Sequence, residues 1–123
     1  MLSDLGAEHV YLACGPTDMR KSIDGLAALV QVRFQLDPFG SNWFAFCNRD
    51  RDKLKILRWD NNGFWLYYRR LEKGRFKWPA AVSSLSTNSN LCVVSRRQLQ
   101  WLLDGLKLEQ KAAHPSVPLK KVV

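Results

Sequence analysis

At 123 residues, 46% of them hydrophobic and 24% charged, the chain has the size and make-up of one folded domain, which excludes wholesale disorder and a fold that needs disulfide staples. Nineteen Lys and Arg against 11 Asp and Glu leave a formal charge of +8, so a polyanion is the partner class to test, since such a field speeds encounter with nucleic acid and supplies sequence-independent affinity. No apolar run approaches the ~18 residues of a membrane span, and MLSDLGAEHVYLACG has no basic flank before its short apolar segment, so a cytoplasmic location with no membrane partner is expected.

In chain order, Val10 to Cys14 form a short apolar run stopped by Gly15-Pro16, the pattern of a buried strand ended by a turn. A helix near residues 17 to 34 is predicted next, capped by Thr17 or Asp18, because Met19, Ile23, Leu26, Val30 and Phe34 recur at three- and four-residue steps and so form one apolar stripe. Asp37-Pro38 and Gly40-Ser41 break that pattern.

From Trp43 to Trp78 the chain turns strand-like. Trp43 to Cys47 and Lys53 to Trp59 are two predicted strands, and Asp60-Asn61-Asn62-Gly63 is a hairpin turn whose Asn-Gly pair tolerates positive φ. Phe64 to Leu71 returns, Lys73-Gly74 reverses again, and Arg75 to Trp78 is expected to pair back until Pro79 ends the ribbon. Ala80 to Asn90 is polar and reads as a loop or flap. Leu91 to Val94 is a further candidate strand. Ser95 with Gln98 spells a capping box, with Val94 and Leu99 as its hydrophobic staple. Leu99, Leu102, Leu103 and Leu106 form the apolar face of the helix near 95 to 104, and Gly105 suits the left-handed residue after its end.

The chemistry of an enzyme finds little support. Cys14, Cys47 and Cys92 are odd in number and widely spaced, and His9 and His114 lie near opposite ends, so no metal-ligand spacing exists and no metal or cofactor is expected. The carboxylates fall into cap, turn and ion-pair contexts, with Asp50 and Asp52 alternating with Arg49, Arg51 and Lys53. Gly15 to Lys21 joins a strand to a helix, where backbone amides could hold a phosphate. It lacks the glycines and lysine of a phosphate-binding loop and places Asp18 where the anion would sit, although Arg20 and Lys21 could still reach a DNA phosphate.

The strongest pattern is basic and aromatic. Arg49, Arg51, Lys53, Lys55, Arg58, Arg69, Arg70, Lys73, Arg75 and Lys77 are ten of the 19 basic residues. In Lys73-Gly74-Arg75-Phe76-Lys77-Trp78 the two-residue period of an extended chain puts Arg75 and Lys77 on one side and Phe76 and Trp78 on the other. One side can pack while the other meets phosphate. A two-stranded ribbon fits a major groove, and aromatic rings stack on unpaired bases, so duplex and single-strand readings are both open. Trp65 and Trp78 are candidates for stacking or partner contact, with a core role for each as the plainer alternative.

The blocks GPTDMRKSIDGLAALV from Gly15 to Val30, LDPF from Leu36 to Phe39, and KLKILRWDNNGFWLYYRRLEKGRFKWP from Lys53 to Pro79 resemble the TnpB, or Orf2-like, accessory proteins of insertion sequence sixty-six. Leu102 to Gly105 resembles that family's ending too. The resemblance implies a protein encoded beside a separate acidic-triad transposase, needed with a second small protein for efficient movement of the element, and it supplies no catalytic residues. The expectation is therefore a single α+β domain over residues 1–106, an antiparallel β-meander packed against two amphipathic helices, followed by a flexible tail over 107–123. Its expected function is non-catalytic: binding of DNA at transposon ends through Arg49, Arg51, Lys53, Lys55, Arg69, Arg70, Arg75 and Lys77, with Arg20 and Lys21 as secondary phosphate contacts. The alternative is an adaptor that docks on the transposase through the aromatic ribbon without touching DNA.

Overall fold

The computed structural model describes residues 9–80 and 90–105. The polar stretch 81–89, Leu106, His114 and the expected tail over 107–123 lie outside the described residues. Five strands, β1 (Val10–Ala13), β2 (Trp43–Cys47), β3 (Lys53–Asp60), β4 (Gly63–Arg70) and β5 (Leu91–Val94), form one sheet in the order β4-β3-β2-β1-β5. With helices α1 (Ile23–Ala28) and α2 (Arg96–Leu103) the arrangement is α+β.

The antiparallel meander is present as β2, β3 and β4, but the sheet is not a meander throughout. β1 lies parallel to β2 and antiparallel to β5. A parallel pair requires a long crossover connection, and the residues between β1 and β2, including α1, supply it. The Arg75 to Trp78 segment, expected to pair back as a strand, is irregular. It is held by a few anchoring bonds, with the Phe76 N–H donating to Arg51 O at 2.7 Å and the Leu71 N–H to Asp52 O at 2.8 Å. Pro79 and the left-handed Gly74, at φ 81°, leave too short a regular run for a ladder.

Side chains alternate across the sheet and build two cores. On one face Val10, Leu12, Ala45, Cys47, Leu54 and Ile56 meet Leu99 and Leu102 of α2 together with Phe76 and Trp78. On the other face Phe44, Phe46 and Leu57 meet Leu26, Val30 and Phe34. The predicted apolar stripe is therefore correct, but the helix carrying it starts later and ends differently. Asp18 makes a local turn, its carboxylate accepting the Arg20 N–H at 2.9 Å, so it is spent before it can cap a helix. The helix is instead entered at Ser22, with no side-chain cap. Beyond Ala28 the coil widens into a π-helical turn, Leu29–Arg33, with the Phe34 N–H reaching Leu29 O at 3.3 Å, and Gln35 in the left-handed region at φ 55° ends it.

Local signals elsewhere are realised. The Ser95 and Gln98 capping box is complete, at 3.0 Å and 2.9 Å, and Gly105 sits at φ 82°. In the β3–β4 hairpin the positive φ falls on Asn61, at 60°, and not on the Asn-Gly pair, because Gly63 already pairs with Asp60 in the ladder. The Asp37 carboxylate accepts the Phe39 N–H at 2.9 Å, bringing Phe39 onto Trp59 and Phe64, whose own rings lie 5.0 Å apart.

Trp78 is the anchor of the irregular segment. It is 4% exposed, and its indole N–H donates to Ala13 O at 2.8 Å, 65 residues away in the chain. Replacing it with alanine removes a large buried side chain and orphans that carbonyl, so Trp78→Ala is expected to lose about 3–5 kcal/mol in urea unfolding. A loss below about 1 kcal/mol would show that residues 71–80 do not hold this face of the sheet. Ser95→Ala, by contrast, should cost only about 1 kcal/mol.

Candidate nucleic-acid interface

The turn between β2 and β3 is built by Asn48. Its side-chain oxygen accepts the N–H groups of Asp52 and Lys53, both at 3.0 Å, and its amide donates to the Asp52 carboxylate at 2.7 Å. That bond holds the Asp52 carboxyl below the usual carboxylate range. The loop so braced turns Arg49, Asp50 and Arg51 outward, with Arg51 in the left-handed region at φ 61°. A non-glycine residue there is strained by about 1–2 kcal/mol. The conformation aims the Arg51 carbonyl at the Phe76 N–H.

That bond, with the one from the Leu71 N–H to Asp52 O, joins the two basic stretches. With Phe76 and Trp78 buried, the extended period of two forces Arg75 and Lys77 outward. Together with Arg49 and Arg51 they line a cleft of about 380 Å³ in which Asp50 is the acid among the lining residues. Four cations against one carboxylate make this end of the sheet locally positive.

The other expected phosphate contacts do not join this cluster. Lys53 and Lys55 lie across the sheet, on the α1 side. Lys55 is committed to structure: its ammonium donates to Met19 O and Lys21 O, both at 2.8 Å, and rests 5.8 Å from the Tyr68 ring centroid. It ties the loop before α1 to the sheet, and two of its ammonium donors are committed there. Arg69 and Arg70 are neighbours in β4 and therefore face opposite sides. Arg70 pairs with Glu72 at 2.9 Å. Arg20 pairs with Asp18 at 2.8 Å, which brings the Asp18 carboxyl down to about 2, while Lys21 is exposed. The expected single basic face of a ribbon is thus corrected to a basic end of the sheet.

Of the two candidate aromatic contacts, Trp78 is buried and cannot stack on a base or a partner while the fold is intact. Trp65 is 52% exposed, bonded through its indole to Asp60 at 3.1 Å and stacked on Tyr67 at 6.2 Å. Burial pushes the Cys47 thiol up to about 12 and that of Cys14, which also faces Cys92, up to about 11, so both favour the protonated form. Among the described residues no group of three His, Cys, Asp or Glu is placed to hold a metal ion, and no helix is long and apolar enough to cross a membrane.

A second polar cluster is absent from the sequence expectations. Arg58, on β3, is 7% exposed. Its guanidinium donates to the Tyr67 hydroxyl at 2.9 Å, lies 3.5 Å from the Asp60 carboxylate, and sits 5.4 Å from the Trp43 ring centroid. Arg96 of α2 is 5.3 Å from the same ring. The signal was in the strand period: Leu54, Ile56 and Arg58 share one phase, so an arginine follows two core residues inward.

Residues 8–113 match the family described as IS66 Orf2 like protein. Two uncharacterized proteins of Sinorhizobium fredii are similar to the chain. One, y4hO, is 37% identical over 98 residues, 80% of this chain and 80% of its own length. The other, y4jC, is 34% identical over 71 residues, 58% of this chain and 61% of its own length. No solved structure matches. A family match over so much of the fold, cleft and hairpin included, means that the chain belongs to the IS66 Orf2-like family, as the blocks from Gly15 to Pro79 implied.

Proposed function

We propose that this protein is a non-catalytic accessory factor that binds DNA at the ends of its insertion sequence through the cleft of Arg49, Arg51, Arg75 and Lys77. An accessory role in transposition follows from the family. The DNA reading rests on one observation: two separate stretches of chain bring four cations and a single acid into one exposed cleft. Guanidinium and ammonium groups so arranged meet successive phosphates, and such contacts position a protein on DNA without reading its sequence. Docking on the transposase is the second reading. It is favoured by Trp65, Tyr67 and Tyr68, all exposed on β4 at the end of the strand order.

Four phosphate contacts predict that log K for terminal-repeat DNA falls against log salt concentration with a slope of about −3 to −4. Charge reversal in Arg75→Glu with Lys77→Glu should weaken binding and flatten that slope by about two, as followed by fluorescence anisotropy. Binding that ignores salt, or none at all, contradicts the proposal.

Arg51→Gly separates function from stability. Glycine relieves the left-handed strain, so the variant should unfold at equal or higher urea concentration while its affinity for DNA falls severalfold. Lys55→Met should do the reverse, losing about 1–3 kcal/mol of stability with its charged hydrogen bonds and keeping the salt slope. A Lys55→Met slope flattened by one unit would return that residue to the DNA surface.

A further inference from the structure

We infer that two copies of this chain pair through β4, antiparallel and in register about Leu66, so that their sheets become one. β4 is an edge of the sheet, eight residues long and without proline, and it exposes the rings of Trp65, Tyr67 and Tyr68. The other edge, β5, has four residues. A long edge strand recruits another strand unless it is blunted, and shortness is one way of blunting it. Among the described residues β4 has its ladder on β3 alone.

Backbone parity restricts the register. The Leu71 N–H donates to Asp52 O at 2.8 Å, continuing the ladder in which Lys53 lies opposite Arg70. Odd-numbered residues of β4 are therefore bonded to β3, and the N–H and C=O groups of Phe64, Leu66, Tyr68 and Arg70 face the open side. An even residue can pair only with an even one across the new seam, so a two-fold axis must pass through a residue and not between two. Through Leu66 it sets Phe64 opposite the second copy's Tyr68, Trp65 opposite its Tyr67, and Leu66 opposite Leu66. The run Phe64-Trp65-Leu66-Tyr67-Tyr68 thus matches itself when reversed, which is what a two-fold interface demands. Aromatic pairs across strands stabilise a sheet, and Trp65 and Tyr67 already lie parallel, within 10°, on one face. An axis through Tyr67 would instead set Phe64 against Arg70, whose guanidinium is held by Glu72.

Charge agrees with the Leu66 register. Arg69 is exposed and has no ion pair of its own among the described residues. It falls opposite the second copy's Gly63, and the next residue across the ladder on that face is Asp60. Two strand spacings, about 9–10 Å, separate the two backbones, a span that an arginine and an aspartate cover together. Gly63 puts no side chain between them. The contacts of Asp60 with Trp65 and Arg58 both use Oδ2, which leaves Oδ1 for the guanidinium. A different protein strand or an unpaired nucleotide could meet the same rings, but neither requires a strand that matches itself end to end.

The pairing stands independently of the DNA reading, and sedimentation equilibrium of the full chain without DNA tests it. Between about 1 and 200 μM the mass should rise from that of one chain to that of two, as a dissociation constant in the micromolar range requires. Hydrogen exchange compared at the two ends of that range should slow at the amides of Phe64, Leu66 and Tyr68 and stay unchanged along β5. Trp65→Lys with Tyr68→Lys, which puts positive charge on both faces of the seam, should leave only monomer. Should that variant unfold, Gly63→Phe, at a position where an added Cβ meets nothing, should block the path from Arg69 to Asp60 and weaken association at least threefold. A monomer at every concentration, or protection of β5 in place of β4, would overturn the inference. So would a dimer indifferent to both variants, or protection of β4 that appears only when oligothymidylate is added, which would give the edge to unpaired bases. Failure of duplex DNA to bind would count only against the cleft.

Discussion

Burial of Phe76 and Trp78 decides where the surface proposed to meet DNA lies. The two rings complete the core on the α2 side of the sheet, and Trp78 is tied to the end of β1 by its indole bond. Because extended chain alternates, their burial leaves Arg75 and Lys77 nowhere to point but solvent. The bond from Phe76 to Arg51 then fixes which solvent, namely the space beside the β2–β3 turn. A residue pair that is core by any measure of exposure thereby determines where positive charge collects.

Charge placement elsewhere follows a different rule. Arg20 and Arg70 have carboxylate partners two residues away, and exposed pairs of this kind contribute little to stability. They do lower the local field. Lys55 and Arg58 are drawn inward and used as braces, one holding carbonyls of the chain before α1, the other holding Tyr67 and Asp60. A charge taken from water is tolerated only when hydrogen-bonded or paired, and both residues meet that condition. The excess of cations therefore resolves into an open cleft, exposed ion pairs and a set of structural braces.

What could be read from sequence was what is decided locally. The capping box at Ser95 and Gln98, the apolar stripe from Met19 to Phe34, the β3–β4 hairpin and the alternation from Arg75 to Trp78 each depend on residues a few positions apart, and each is found. Pairings decided at long range were not legible. Nothing near Val10 says that β1 will lie between β2 and β5, and nothing near Lys55 names Met19 as its acceptor. The late start of α1 was missed because Asp18 has two local uses and the turn with Arg20 won. The split of the eight basic residues between faces was partly available from strand parity, since Arg69 and Arg70 are adjacent and cannot share a side. Only the cross-strand register, with Lys53 opposite Arg70 and Leu54 opposite Arg69, completes that assignment.

In the proposed mode of action, the buried Phe76 and Trp78 hold four cations at one end of the sheet for contact with DNA. That contact can be mapped by titrating a short duplex from the element's end and following the side-chain N–H signals of the arginines. Shifts are expected at Arg49, Arg51 and Arg75, with Arg20 and Arg70 unmoved. Shifts centred on Arg20 and Arg70, with the cleft silent, would contradict it.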